Sequence, residues 1–246
     1  MRHRVALAVA LAGAIEVAVQ VAIYIRVPAA ADWDAAAGYV RRQLRPGDGL
    51  VFAPHWVDPI GRLHFGELVS VEEAARPDRS RQGRIWEVSI RGKRHPDAIG
   101  READSRAFGR VQVRLFERTP AEVLFDFTSA RPERRHVAEI DFLPYMCLPA
   151  VPGDTLDFAD VPLGATIALG GGIADFQSRY DSEAPVTLQT FVDGVPIARE
   201  AFDNHGWRRV AVDTARFAGA RHAVRFQVTA AQPRSRTFCF HAEAHR

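Results

Sequence analysis

From residue 5 to residue 25 the chain reads VALAVALAGAIEVAVQVAIYI, an apolar run of 21 residues with Arg2 and Arg4 before it and Arg26 after it. About 20 apolar residues is the length a helix needs to cross the hydrocarbon core. The run therefore predicts a single N-terminal transmembrane helix in the inner (cytoplasmic) membrane. The positive-inside rule puts its N-terminus in the cytoplasm and the C-terminal body in the periplasm. A cleaved signal peptide is the alternative: Ala29-Ala30-Ala31 offers a small-residue cleavage site, which would secrete the body to the periplasm. Glu16 and Gln20 fall at i, i+4 on one helical face. Polar groups stacked in this way suit an intramembrane contact with a helix of a polytopic membrane protein.

Beyond the leader the period changes. Trp33, Ala36, Ala37, Val40 and Leu44 recur at helical spacing, so 32–44 predicts a helix with Asp32 as its cap. RPGDG (45–49) is a turn, and LVFAPHW (50–56) is an apolar run suited to a buried strand. Residues 57–76 read as loop and then helix, with Ser70 as cap and Glu73 at the capping-box position. RIWEVSI (84–90) is the next strand, implying a small α/β layer with parallel pairing. RVQVRLFE (110–117) and AEVLFDFT (121–128) alternate around Arg118-Thr119-Pro120 and predict a β-hairpin. From His136 onward helical periodicity is gone. HVAEIDFL, TIAL, VTLQTFVDG, RRVAVD, HAVRFQVTA and RTFCFHAE are short alternating runs between Pro, Gly and Asp turns, and Asp193-Gly194 is a hairpin signal. The expected fold class is α+β and multi-domain: a membrane anchor or signal segment (1–31), a small α/β module (32–131) and a C-terminal all-β sandwich (132–246).

Composition narrows the function classes. The chain has 246 residues, 47% of them hydrophobic, which is enough for real cores. The net charge of +2 does not provide the concentrated basic face of a nucleic-acid binder. Residues 76–118 carry twelve Arg or Lys against six Asp or Glu, so this stretch is either a solvated face or a surface for an anionic partner. Cys147 and Cys239 lie far apart and in no metal-type spacing. They are open between a disulfide, which an oxidising compartment permits, and two separately buried thiols.

The densest polar-aromatic stretch is PHWVDPIGRLHFGE (54–67). It follows the C-terminal end of a strand, where open α/β sheets bind ligands. His55, Asp58 and Arg62 are the ligand-binding candidates here. His55 could also act as a base oriented by Asp58, and His64 with Glu67 could ligate a metal, but no nucleophile elbow or HExxH motif accompanies them. In the sandwich Trp207 with Asn204, and Arg179 with Asp175, are candidates for sugar contacts; a core position is the favoured reading of Trp207. Asp154, Asp157 and Asp160 lack an EF-hand pattern. His241 and His245 would share a helical face, but the local pattern is a strand followed by a terminal tail. No catalytic residue, cofactor or metal site is expected.

Two resemblances extend this reading. The order RPGDGLVFAP, a histidine-bearing loop, ARPD (75–78) and RIWEVS (84–89) is similar to the extracytoplasmic tail of bacterial polytopic glycosyltransferases, mannosyltransferase-like enzymes that use polyprenyl-phosphate sugars. The catalytic membrane spans of that family are absent, so the resemblance implies location and company rather than activity. GWRRVAVDTARFAGARHAVRFQVTA (206–230), with LGGGIADFQSR (169–179), resembles jelly-roll modules attached to glycan-active proteins. Together they imply a non-catalytic, membrane-anchored periplasmic accessory protein of envelope-glycan assembly, with a carbohydrate or glycolipid ligand. The alternatives are the detached tail of a polytopic glycosyltransferase working with a separate membrane subunit, and a hydrolase or transferase using His55 and Asp58.

Overall fold

The computed structural model describes residues 2–24, 27–174, 185–203, 206–231 and 236–246. The chain forms two compact units, Met1–Val69 with Gln82–Arg118, and Ser70–Arg81 with Thr119–Arg246. The segment 70–81, which the sequence groups with the α/β module, thus belongs with the sandwich.

The apolar leader does form a helix, α1 (Arg2–Tyr24), and its described side chains are almost all exposed. Among the described residues, however, no helix is long and apolar enough to cross a membrane. That finding overturns the single-pass inner-membrane anchor. The reason lies in the residues: seven alanines, Gly13, Glu16 and Gln20 dilute the branched side chains, and a central charge costs about 2.5–3.5 kcal/mol. The intramembrane partner expected of Glu16 and Gln20 loses its setting with it.

In the first unit, α2 (Ala30–Arg41) starts two residues earlier than the periodicity predicts. Asp32 is not its cap residue; it stands inside the first turn, and its carboxylate accepts the Ala29 N–H at 3.2 Å. Strands β1 (Gly49–Ala53) and β2 (Arg84–Ile90) pair in parallel as expected. α3 (Asp58–Phe65) follows β1, and its Gly61 sits where a Cβ would come within 2.2 Å of the Phe52 ring, so only glycine lets helix and strand approach this closely. β2 alternates: Trp86, Val88 and Ile90 join Trp33, Val40, Phe52 and Phe65 in the core, and Ile85 packs with Val51 and Phe116 on the other face. On that second face Glu87, fully buried, is met by Arg114 at 2.9 Å and by the His95 N–H at 2.7 Å.

The predicted hairpin is corrected here. β4 (Val111–Glu117) turns back through Gly109 onto β3 (Arg101–Phe108), giving the order β1-β2-β4-β3. READSRAF escapes detection because it is an edge strand with mostly exposed side chains, so it lacks hydrophobic alternation. Residues 121–128 instead supply β5 (Val123–Asp126) to the second unit.

The second unit is a β-sandwich. One sheet runs β12-β9-β14-β7-β6, with β5 also on β14, and the other runs β11-β10-β13-β8. The ranges are β6 His136–Ile140, β7 Leu143–Ala150, β8 Thr155–Pro162, β9 Thr166–Ile173, β10 Val186–Val192, β11 Val195–Phe202, β12 Arg208–Asp213, β13 Arg221–Ala230 and β14 Phe238–His245. Between the sheets lies a core of Phe127, Phe158, Phe226, Phe238 and Phe240 with aliphatic neighbours. The β10–β11 hairpin turns at Asp193 (φ 49°) and Gly194 (φ 78°), the two positive φ values that a type I′ turn requires. Cys147 on β7 and Cys239 on β14 are joined as a disulfide. α4 (Val71–Ala74) opens the segment 70–81, with Ser70 Oγ accepting the Glu73 N–H at 3.1 Å. The Met146 N–H donates to the Ala75 carbonyl at 2.6 Å, tying this segment to β7.

Candidate functional site

Strand β14 has the sequence FCFHAEAH and is buried along its whole length. Side chains alternate across a strand. Phe238, Phe240, Ala242 and Ala244 therefore enter the core between the sheets, leaving Cys239, His241, Glu243 and His245 on the opposite face. A row of two imidazoles and a carboxylate, each no more than 8% exposed, is an unusual thing for a protein to bury.

Neighbouring segments supply the partners. In the antiparallel β5–β14 ladder Asp126 stands directly opposite Glu243. Two carboxylates in that relation repel each other, and Arg81 answers the repulsion. Its Nη2 lies 3.1 Å from Asp126 Oδ2 and also pairs with Glu243. His245 Nε2 lies 3.0 Å from Glu243 Oε2, and His241 Nε2 lies 3.2 Å from Glu243 Oε1. The other ring nitrogen of His241 meets Thr128 Oγ1 at 2.8 Å. Asp126 is held from its own turn, accepting the Ser129 N–H and Oγ–H at 2.9 Å each.

The electrostatics follow from this packing. Burial pushes the Glu243 carboxyl up, but the imidazoles of His241 and His245 and the Arg81 charge outweigh it and hold the group well below the usual carboxylate range. Burial would likewise lower Arg81, and the charges of Glu243 and Asp126 more than offset it, so the guanidinium keeps its proton. Glu243 is thereby favoured as the anion, held among the imidazoles of His241 and His245 and the Arg81 guanidinium. A cavity of about 240 Å³ opens over this floor of Asp126, His241 and Glu243, walled by Glu72, Arg76, Arg135 and Met146.

A larger depression, about 420 Å³, lies in the first unit among Trp33, Trp56, Ile60, His64 and Arg91. Its lining is mainly apolar. Its polar groups already have partners: His64 meets Asp34 at 2.8 Å, and Arg91 lies over the Trp56 ring of the same depression at 5.5 Å. Size and an apolar lining favour this depression, and convergent, mutually fixed polar groups favour the smaller one.

The structure scatters the residues singled out from sequence. His55 is exposed just after β1, and Asp58 pairs with Arg62 one turn along α3, so it does not orient His55. Glu67 pairs with Arg41 at 3.3 Å, apart from His64. Trp207 is half-buried, stacks on Tyr145 at 4.4 Å and covers Gly170, where a Cβ would come within 2.6 Å of its Nε1. Asp175, Arg179 and Asn204 lie outside the described residues. Asp157 and Asp160 each pair with their own arginine, Arg225 and Arg221, while Asp154 caps the turn at Val151; the three do not converge. What sequence reasoning missed was the row on β14. Part of its signal was present, since His241 and Glu243 are spaced by two in RTFCFHAE, a run read as a strand; His245 was read as terminal tail, and the structure extends the strand to it.

No family model matches the chain, and no curated protein sequence matches it, so the glycosyltransferase-tail resemblance gains no support. Solved structures give remote likenesses to carbohydrate-binding modules. The family 51 module of the Clostridium perfringens GH95 protein, in complex with methyl-galactose, is 8% identical over 44% of this chain and 78% of its own, at TM-score 0.31. The M60 catalytic domain with two family 51 modules of Clostridium perfringens ZmpB is 13% identical over 64% of this chain and 19% of its own, at TM-score 0.39. The C-terminal family 6 module of the Zobellia galactanivorans laminarinase LamC is 9% identical over 50% of this chain and 93% of its own, at TM-score 0.27. Likenesses this remote carry no argument about a ligand.

Proposed function

We propose that the second unit is a non-catalytic binding module for a small carbohydrate, received in the cavity above His241 and Glu243. One observation carries this reading: the open cavity has a floor of planar, charged hydrogen-bonding groups already locked in place by one another. Vicinal sugar hydroxyls both donate and accept, so they match carboxylates and guanidinium groups set side by side. Groups fixed beforehand lose little entropy on binding. The Met146 side chain offers an apolar contact for a C–H face of a sugar ring. Export is compatible with this reading, since a disulfide persists best in an oxidising compartment, where envelope glycans are available.

A glycan array probed with the full chain tests the proposal, with hits quantified by calorimetry. Arg135→Ala alters an exposed side chain of the cavity wall and leaves the floor untouched. We expect a saturable carbohydrate hit that Arg135→Ala weakens about tenfold. The absence of any hit, or a hit indifferent to Arg135, would overturn it.

A further inference from the structure

We propose that Asp126, Glu243 and His241 form a binding site for a divalent transition-metal ion of the Zn²⁺ class, which Arg81 occupies with its guanidinium when the ion is absent. This goes beyond the carbohydrate reading and does not rest on it.

Three ligand atoms, one from each residue, lie within 4.8 Å of one another, close enough to surround a single ion. One nitrogen and two carboxylate oxygens make a donor set of borderline character, which suits zinc or a neighbour in its row. Calcium and magnesium favour all-oxygen sites. The imidazole adds an independent observation. His241 is only 5% exposed, and its Nε2 has no hydrogen bond of acceptable alignment even though it faces Glu243. A buried ring nitrogen normally finds a partner. A metal would supply one.

The surroundings match what such an ion requires. To ligate through Nε2, His241 must carry its proton on Nδ1, and Nδ1 lies 2.8 Å from Thr128 Oγ1, a hydroxyl able to accept a hydrogen bond from it. Ser129 holds Asp126 at both oxygens, its N–H at Oδ1 and its hydroxyl at Oδ2, and Glu243 is held at Oε2 by His245. Both carboxylates are thus oriented before an ion arrives. The cavity keeps positions open for water or a ligand, as in sites that do more than hold a fold together.

Arg81 explains how the chain tolerates the site without an ion. Two carboxylates facing each other across β5 and β14 need a cation, and the guanidinium provides it. Its side chain is 34% exposed, so it has room to swing into the cavity and yield its place. Ion and guanidinium therefore compete for the same carboxylates.

The test uses the full chain freed of metal by a chelator and then dialysed. ZnCl₂ and CaCl₂ are titrated by calorimetry at about neutral pH into the wild type, Asp126→Asn and Arg81→Ala, with circular dichroism as the folding control. We expect one saturable Zn²⁺ site and no saturable Ca²⁺ binding. Asp126→Asn should weaken Zn²⁺ tenfold or more, and Arg81→Ala should tighten it about tenfold because the competitor is gone. NMR of the histidine rings reads the wild type without any variant: the His241 Nε2 resonance should move on addition of Zn²⁺ while Nδ1 keeps its proton. The proposal is overturned by an absence of saturable Zn²⁺ binding, by Zn²⁺ binding that leaves His241 unmoved, or by weaker binding in Arg81→Ala.

Discussion

Replacing Arg81 by alanine isolates the electrostatics of the buried row. The substitution leaves Asp126 and Glu243 opposed across the β5–β14 ladder with no cation between them. Leaving a buried charge uncompensated costs about 3–5 kcal/mol, whereas an exposed pair contributes about 0–1. Glu243 is 2% exposed and the Arg81 side chain 34%, so the loss belongs between these limits, at about 2 kcal/mol near neutral pH. The sign of the pH dependence can be worked out. The folded-state pKa of Glu243 is depressed, so its stabilising effect is fully present above the ordinary value of 4.5 and is lost as pH falls below it. Arg81 is one cause of that depression, and in the variant the folded pKa rises back toward the unfolded value. The difference between wild type and Arg81→Ala should therefore be largest at neutral pH and shrink steadily below about pH 4.5. Urea unfolding followed by far-ultraviolet circular dichroism, with chelator present and a series of pH values, measures it. A difference that stays constant or grows with acidification would refute the reasoning, because a purely steric loss has no such dependence.

Other expectations concern packing and cross-linking. Closing a loop of 92 residues, the Cys147–Cys239 disulfide should contribute about 4–5 kcal/mol, so the double Cys→Ala variant should unfold at markedly lower urea concentration; an unchanged midpoint would count against the bond. Phe127→Ala removes a ring in edge contact with Phe125, Phe158 and Phe226, and should cost about 3–5 kcal/mol in the same assay. Gly170→Ala places a methyl against the Trp207 indole and should cost about 1–3 kcal/mol while shifting tryptophan emission as the ring leaves Tyr145; unaltered emission would show that the stack absorbs the extra carbon.

Much of the fold is legible wherever burial is one-sided. Alternation in VTLQTFV and HAVRFQVTA announces strands because each places one face on the core. LVFA reads as a buried strand because both its faces are covered. READSRAF is silent because an edge strand with mostly exposed side chains carries no hydrophobic period. The polar candidates fared differently. His55, Asp58 and Arg62 were singled out as a polar-aromatic cluster following the C-terminal end of a strand. In the structure Asp58 and Arg62 pair one helical turn apart on α3, and His55 is exposed just before that helix. The leader looked like a membrane span on length, but its alanines and its polar pair weaken the apolar character that crossing demands.

Read alone, the sequence determined the helical leader, the parallel β1–β2 pair, an all-β C-terminal half and its Asp-Gly hairpin, since each follows from local period and turn chemistry. Even the common face of His241 and Glu243 was implicit in the strand alternation of RTFCFHAE, whereas the strand's continuation to His245 was not. Only tertiary structure decided that Asp126 would face Glu243, that Arg81 would come from a distant segment to lie between them, and that Thr128 would orient His241. Pairing of that kind depends on which strands lie side by side. Strand neighbours are chosen by burying the whole core at once, a choice that no local pattern encodes.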